Sequence, residues 1–377
     1  VTTRALLGQL GPRRTAPALA LASACVGLLV ACSGGSSGGG APAASTSAPV
    51  GSSPTTTAPV ASAPATLAPV FSQVATLVPS GPLTQLPQGY LAGGGDPVNV
   101  PHVLEADRFS DRKASQVPAT LRVVAWNVEY GRHSQAVLDQ LQSDPELAGA
   151  DVILLTEVPR HDPESTPPGI NLAREAAQLL RMDYVLAPSW YRALEVPGGG
   201  EHCSAILSKY PLGNVSHIRL TPAYDHYTSL QRIGGRHALA ADLQVGARRL
   251  RMTAVHLATR DFGPERALQA DEVLGDTSRP GRPSLQLVGG DFNTWNCSPF
   301  RWDCTNPLTA ESCLRRFFDS GWADGTAGFR SFTQKGLGFF PQRLDWLFVR
   351  GLLVVPGRAV PTSAADHLPI FCDVALP

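Results

Sequence analysis

The stretch Leu287-Val288-Gly289-Gly290-Asp291-Phe292-Asn293 constrains this chain more than any other. A short apolar run followed by two glycines reads as a buried strand that stops at the Gly pair. Asp291 and Asn293 alternate in phase, so on an extended backbone both side chains point to one side. A carboxylate and a carboxamide at the end of a buried strand suit a hard cation and a phosphate oxygen. An isolated turn after a strand has the same composition, so the reading depends on what the other strand ends carry.

Charge is distributed unevenly over the 377 residues. Charged residues make up 16% of the chain, and none occurs between Ser33 and Gly95. That stretch of Ser, Thr, Gly, Ala and Pro buries too little apolar surface to offset its ordering entropy. It reads as a tether, with a root-mean-square reach on the order of 45 Å for ~60 residues. A glycosylated stalk has the same composition.

Ahead of it, Arg4, Arg13 and Arg14 precede the apolar stretch Ala16 to Ala31. The stretch is shorter than the ~20 residues that span a bilayer, so an export signal is expected over residues 1–31. Leu29-Val30-Ala31-Cys32 resembles the bacterial lipobox, which implies cleavage before Cys32 and its lipidation. Removing Arg4, Arg13 and Arg14 from 31 basic residues leaves 28 against 31 acids, about three net negative charges. The expected organisation is signal 1–31, lipid-anchored linker 32–99 and a folded domain 100–377. The protein would then be exported and face the extracytoplasmic side of the cell membrane.

From Leu121 onward, short apolar runs alternate with helical patterns. Strands are expected at Leu121–Trp126, Asp151–Leu155, Ala205–Leu207, His237–Val245, Leu250–His256, Leu285–Val288, Leu344–Val349 and Leu368–Val374. Helices are expected at Ser134–Leu141, Leu172–Leu180 and Pro264–Leu274, the last with proline in its first turn. About 260 residues of mixed elements argue for an α/β or α+β domain around a large buried sheet core.

Polar residues recur where these strands end: Asn127, Glu157, His256, Asp291 with Asn293, Asp345 and Asp366-His367. Asp345, inside Leu344-Asp345-Trp346-Leu347-Phe348, is costly to bury without a partner. A histidine such as His367 fits that need, because a carboxylate on one ring nitrogen leaves the other as a base. Singly, each residue has a plain structural explanation; the ordered set does not.

That set comprises Trp126-Asn127, Thr156-Glu157-Val158, Val255-His256-Leu257, Gly290-Asp291-Phe292-Asn293, Leu344-Asp345-Trp346 and Asp366-His367. It resembles the endonuclease/exonuclease/phosphatase (DNase I-like) superfamily over roughly residues 118–377. The resemblance implies an α+β fold, a four-layered α-β-β-α sandwich with its site at the strand ends. It implies that Glu157 holds Mg²⁺ or Mn²⁺, helped by Asn127 and Asp366. It assigns Asp291 and Asn293 to the attacking water and to the phosphate or a second metal, and His367, oriented by Asp345, to base or phosphate-donor duty. His256 is placed at the phosphate and leaving group. Either Asp291 or His367 takes the proton. The residue that pairs His256 in DNase I-like members falls near Glu201-His202.

The reaction implied is metal-dependent hydrolysis of a phosphodiester, with nucleic acid outside the cytoplasm as substrate. The alternative is a sphingomyelinase-like phospholipase C acting on phospholipid, and beyond it a non-catalytic binding module on the same fold. A monomer is expected. In an oxidising compartment, Cys297, Cys304 and Cys313 are expected to contain a disulfide beside the site, with structural zinc as the alternative. Trp295, Phe300, Arg301 and Trp302 form either a small satellite core or a surface for bases or headgroups. Arg132, Arg160 and Arg260 each follow a motif residue closely and either reach phosphates or are solvated surface arginines.

Overall fold

In the structure, a computed structural model, the run from Leu285 does not stop at the glycine pair but continues through it to Asp291. Residues 104–113, 115, 117–191, 200–221, 233–259, 264–295, 311–326, 332–334 and 342–377 are described. All belong to the second of two compact units, Ser62–Pro377. The signal, Cys32 and all of the tether lie outside the described residues, as do Arg260, Cys297, Phe300, Arg301, Trp302 and Cys304.

The described residues form fourteen strands. They are β1 (Glu105–Asp107), β2 (Thr120–Asn127), β3 (Val152–Arg160), β4 (Asp183–Tyr191), β5 (Glu201–Ser208), β6 (Leu212–Arg219) and β7 (Ile233–Gly234). Then come β8 (His237–Val245), β9 (Arg248–His256), β10 (Leu285–Asp291), β11 (Ala323–Asp324), β12 (Asp345–Arg350), β13 (Leu353–Val355) and β14 (Ile370–Ala375). The described helices are α1 (Ser134–Ser143), α2 (Pro145–Ala148), α3 (Leu172–Leu180), α4 (Pro264–Thr277) and α5 (Ser312–Asp319). Among the described residues, no helix is long and apolar enough to cross a membrane.

The strands form two sheets. The first runs β1-β4-β5-β3-β2-β14-β13, with β7 added to β4; the second runs β11-β12-β10-β9-β8-β6. Three apolar clusters establish the layering. Leu121, Val123, Leu154 and Ile206 of the first sheet meet Leu239, Met252, Leu287 and Leu347 of the second. Val124, Ile153 and Leu207 pack outward on Val137, Leu141, Ala173 and Ala177 of α1 and α3. Val255, Val288 and Phe348 pack outward on Ala270, Val273 and Phe317 of α4 and α5. Helix, sheet, sheet, helix is the expected four-layered sandwich. Strands buried on both faces lose the period-two alternation and read as near-continuous apolar runs.

β4 went unread because Asp183, Pro188 and Ser189 interrupt its buried apolar run. The proline sits where the β4–β5 register shifts, between Pro188 and Trp190, a bulge that tolerates a missing N–H. α5 also went unread.

Both glycines of β10 are required by close approach. A Cβ on Gly289 would stand 2.4 Å from Leu347 Cδ2. One on Gly290 would stand 2.2 Å from the Val255 carbonyl oxygen, and Gly290 has φ +136°. Gly290→Ala is therefore expected to lower stability by about 2–4 kcal/mol, read as a fall in the urea midpoint at unchanged slope.

Candidate active site

The second sheet lays three site residues in one row. Asp291 closes β10, opposite His256 on the parallel neighbour β9 and opposite Asp345 on the antiparallel neighbour β12. Two carboxylates directly across a strand pair repel, so this row needs a compensating charge. It comes from the first sheet's side, where His367 precedes β14. His367 Nδ1 lies 2.8 Å from Asp345 Oδ2, and its Nε2 lies 3.9 Å from Asp291 Oδ2. The backbone carbonyl of His367 accepts from Trp126 Nε1 at 3.1 Å.

The first sheet contributes the rest. Asn127 ends β2, and its Nδ2 donates to Asp291 Oδ2 at 3.0 Å. Its Oδ1 accepts from the Glu129 amide at 3.1 Å. Glu157 sits where the β3–β5 register shifts between Leu155 and Val158, with φ +55°. An acidic residue in left-handed backbone is uncommon and costs energy. Here the bulge re-aims a side chain: Glu157 Oε1 comes 3.7 Å from His256 Nε2, which is itself 3.5 Å from Asp291 Oδ2.

Asn293 departs from the expected extended phase. Its φ is +51°, its backbone N–H donates to Asp291 Oδ1 at 2.8 Å, and its Nδ2 donates to the Leu257 carbonyl at 2.9 Å. It thus orients the Asp291 carboxylate and ties the end of β9 to the loop after β10. Asp366 is half-buried, and its amide donates to Glu129 Oε2 at 2.8 Å.

Burial governs the charges. It pushes the Glu157 carboxyl up to about 7; His367 and Arg236 oppose the rise, while Asp291 and Asp366 add to it. Asp291 is pushed up to about 6, first by burial and then by Asp345, against His367 and the Asn293 amide. Burial opposes the charge on His367, yet Asp345 and Asp291 outweigh it and raise the imidazole to about 10. In the metal-free protein His367 therefore holds a proton at neutral pH.

Among the described residues, the donor atoms of Asp291, Asp345 and His367 converge within 4.8 Å of one another, a grouping different from the expected Asn127, Glu157 and Asp366. An ion inside that trio would displace the 2.8 Å hydrogen bond between His367 and Asp345. Glu157, its side chain 11% exposed, and the buried Asp291 fit a cation better: burial raises both carboxyls, and oxygen donors suit a hard divalent ion. Asn127 and Asp366 border this pair.

Several residues near the site were not read from sequence. Arg236 is buried, donates to Thr259 Oγ1 at 3.0 Å and stacks its guanidinium 4.8 Å from the centre of the Trp190 ring. Trp190 in turn lies 6.0 Å from the His256 ring and 5.1 Å from that of His202. Tyr130 stacks on His202 at 4.2 Å. These residues come from β4, β5 and two loops and share no motif spacing. Glu201 is committed elsewhere, ion-paired with Arg160, which also reaches Glu105 at 3.0 Å. Buried in that network, Arg160 is neither the expected phosphate contact nor the alternative, a solvated surface arginine. Arg132 remains on the surface, 2.9 Å from Glu129.

Cys313 is a free, buried thiol, as are Cys203 and Cys372. The expected staple does not include Cys313, which packs between α4 and α5 with Phe317 and Val273.

The sequence matches the family described as Endonuclease/Exonuclease/phosphatase over residues 124–367. The fold is similar to an endonuclease/exonuclease/phosphatase from Beutenbergia cavernae at 19% identity, covering 69% of this chain and 72% of that one, with TM-score 0.50. It is similar to the human Nocturnin catalytic domain at 18% identity, covering 73% and 98%, with TM-score 0.50. A family protein from Bacteroides thetaiotaomicron aligns at 13% identity over 70% and 100%, with TM-score 0.51. No curated protein matches the sequence.

If Glu157 and Asp291 hold a cation, Mg²⁺ or Mn²⁺ at about 100 Kd raises the unfolding midpoint by roughly 5–10 °C. Glu157→Gln and Asp291→Asn are expected to lose most of that rise. A carboxyl raised by burial costs stability as pH climbs through the window between its unfolded value, 4.5 for Glu157, and about 7. At pH 8 without metal, Glu157→Gln is therefore expected to melt no lower than the native chain, as followed by scanning calorimetry.

Proposed function

The chain belongs to the endonuclease/exonuclease/phosphatase family, and from that premise we propose that it hydrolyses phosphodiester bonds in nucleic acid with Mg²⁺ or Mn²⁺. The observation that carries this reading is that the Nε2 atoms of two histidines, His256 and His367, both face one Asp291 oxygen, at 3.5 and 3.9 Å. A phosphodiester needs a proton removed from the attacking water and a proton delivered to a poor leaving oxygen. Two imidazoles around one carboxylate provide for both.

Held charged by Asp345, His367 donates a hydrogen bond from Nε2 to a non-bridging phosphate oxygen, where negative charge builds, and keeps its proton. Asp291, fixed by Asn127 and by the Asn293 amide, accepts the water proton. His256 protonates the leaving oxygen. Buried Arg236 beside Glu157 supports an anionic substrate from the remaining side. Glu157 and Asp291, bordered by Asn127 and Asp366, would hold the metal. When bound, it neutralises charge on the phosphoryl group and lowers the pKa of water.

The substrate class rests on this chemistry joined to the sequence-level reading of an exported protein. The basic start, the apolar run and Leu29-Val30-Ala31-Cys32 support a signal over 1–31 and a lipid on Cys32. Residues 32–99 act as the tether and the remainder as the enzyme domain, which works as a monomer outside the cytoplasm. Labelled palmitate fed to expressing cells should enter the chain and fail to enter Cys32→Ala; equal labelling of both would remove the anchor.

Purified chain with supercoiled plasmid and Mg²⁺ or Mn²⁺ should produce nicked circles, and EDTA should stop the reaction. Asp291→Ala or His367→Ala should lower the rate by about 10²–10⁴-fold. A folded chain that binds the metal but leaves plasmid intact and releases phosphocholine from sphingomyelin would replace nucleic acid with phospholipid as the substrate.

A further inference from the structure

Asp345 opens β12 of the second sheet and His367 lies in the loop before β14 of the first, yet they meet at 2.8 Å. Thr333 joins them. It is fully buried, and its Oγ1 accepts two successive backbone N–H groups, from Leu344 at 2.9 Å and Asp345 at 3.0 Å. Its own N–H donates to the Gln342 carbonyl at 2.8 Å, and its carbonyl accepts from the Leu368 N–H. The next residue, Gln334, forms antiparallel bridges to both Gln342 and His367. One short segment therefore grips the start of β12, which carries Asp345, and the loop that carries His367.

The chemistry demands a hydroxyl. A threonine oxygen has two acceptor lone pairs, and here both face buried amides. Valine has the same shape and no acceptor, so two N–H groups at the head of β12 would lose their partner. The second of these amides is bonded directly to the Cα from which the Asp345 carboxylate projects, and the first lies one residue ahead of it. Their displacement moves Oδ2 relative to Nδ1 of His367, whose other flank is held by Trp126.

We propose that Thr333 is a positioning residue for the Asp345–His367 pair, its hydroxyl fixing the acid and its backbone fixing the histidine. This rests on the reading of that pair as part of the catalytic machinery. A misplacement of about 1 Å at such a group costs on the order of 10²-fold in rate.

The test compares the full chain with Thr333→Val and Thr333→Ser. The first readout is the low-field proton resonance of the His367 Nδ1–H bonded to Asp345, identified by its loss in His367→Gln. The second is Mn²⁺-dependent hydrolysis of bis(p-nitrophenyl) phosphate. Thr333→Ser should keep the resonance and the turnover. Thr333→Val should lose or shift the resonance and drop kcat by about 10–100-fold at a KM within about twofold, with unchanged far-UV circular dichroism. If the valine chain does not fold, Thr333→Ala repeats the comparison. A valine chain with native resonance and kcat overturns the proposal. So does a serine chain as impaired as the valine one, which would point to methyl packing. Should the native chain cleave no phosphodiester, the resonance alone decides the positioning, and the proposed activity fails separately.

Discussion

The hydrogen bond between His367 Nδ1 and Asp345 Oδ2 is the constraint around which the site is arranged. It crosses from one sheet to the other. The second sheet supplies a row of His256, Asp291 and Asp345 on adjacent strands, with two acids opposite one another. Without a cation against it, that row would be a defect in the sheet. The charged imidazole turns it into a polarised centre, one carboxylate serving the histidine and the other left facing substrate. The rest of the local architecture, from the Trp126 contact to the Thr333 clasp, serves to hold a loop of one sheet against a strand of the other.

Nearby backbone is bent to the same end. Glu157 and Asn293 both occupy left-handed conformations without being glycine, and both sit where regular pairing stops or shifts. Such positions persist only when the surroundings over-determine them. Here a bulge against β5 and a pair of side-chain bonds do so. The buried carboxylates are similarly unfavourable alone, and a divalent ion would relieve them. Strain and charge therefore point to the same few residues.

Much of this was legible in the sequence, for a physical reason. A sandwich core forces apolar runs in its strands, so a polar residue at a run's end stands out. That contrast exposed Asn127, Glu157, His256, Asp291, Asp345 and His367, all of which the structure gathers. It failed where polarity comes from elsewhere. Arg236 and Thr333 sit in loops with no apolar contrast, and β4 hides its strand character under Asp183 and Pro188. The geometry of Asn293 was misjudged because alternation holds only while the backbone stays extended, and the backbone turns immediately after Asp291. Arg160 was misjudged because proximity to Glu157 in sequence does not reveal the two glutamates that capture it.

The close passage at Gly289 and Gly290 has a further consequence. Gly290 lets β10 press main chain to main chain against the Val255 carbonyl of β9, while Gly289 leaves room for the Leu347 side chain of β12. The carboxylate that follows Gly290 thereby inherits much of its position from main chain. A core of this kind can accept many exchanges of one apolar residue for another while the reacting atoms stay in place. Sequence drift in the interior and fidelity at the centre are decoupled, so distant relatives can share the centre while sharing little else of their sequence.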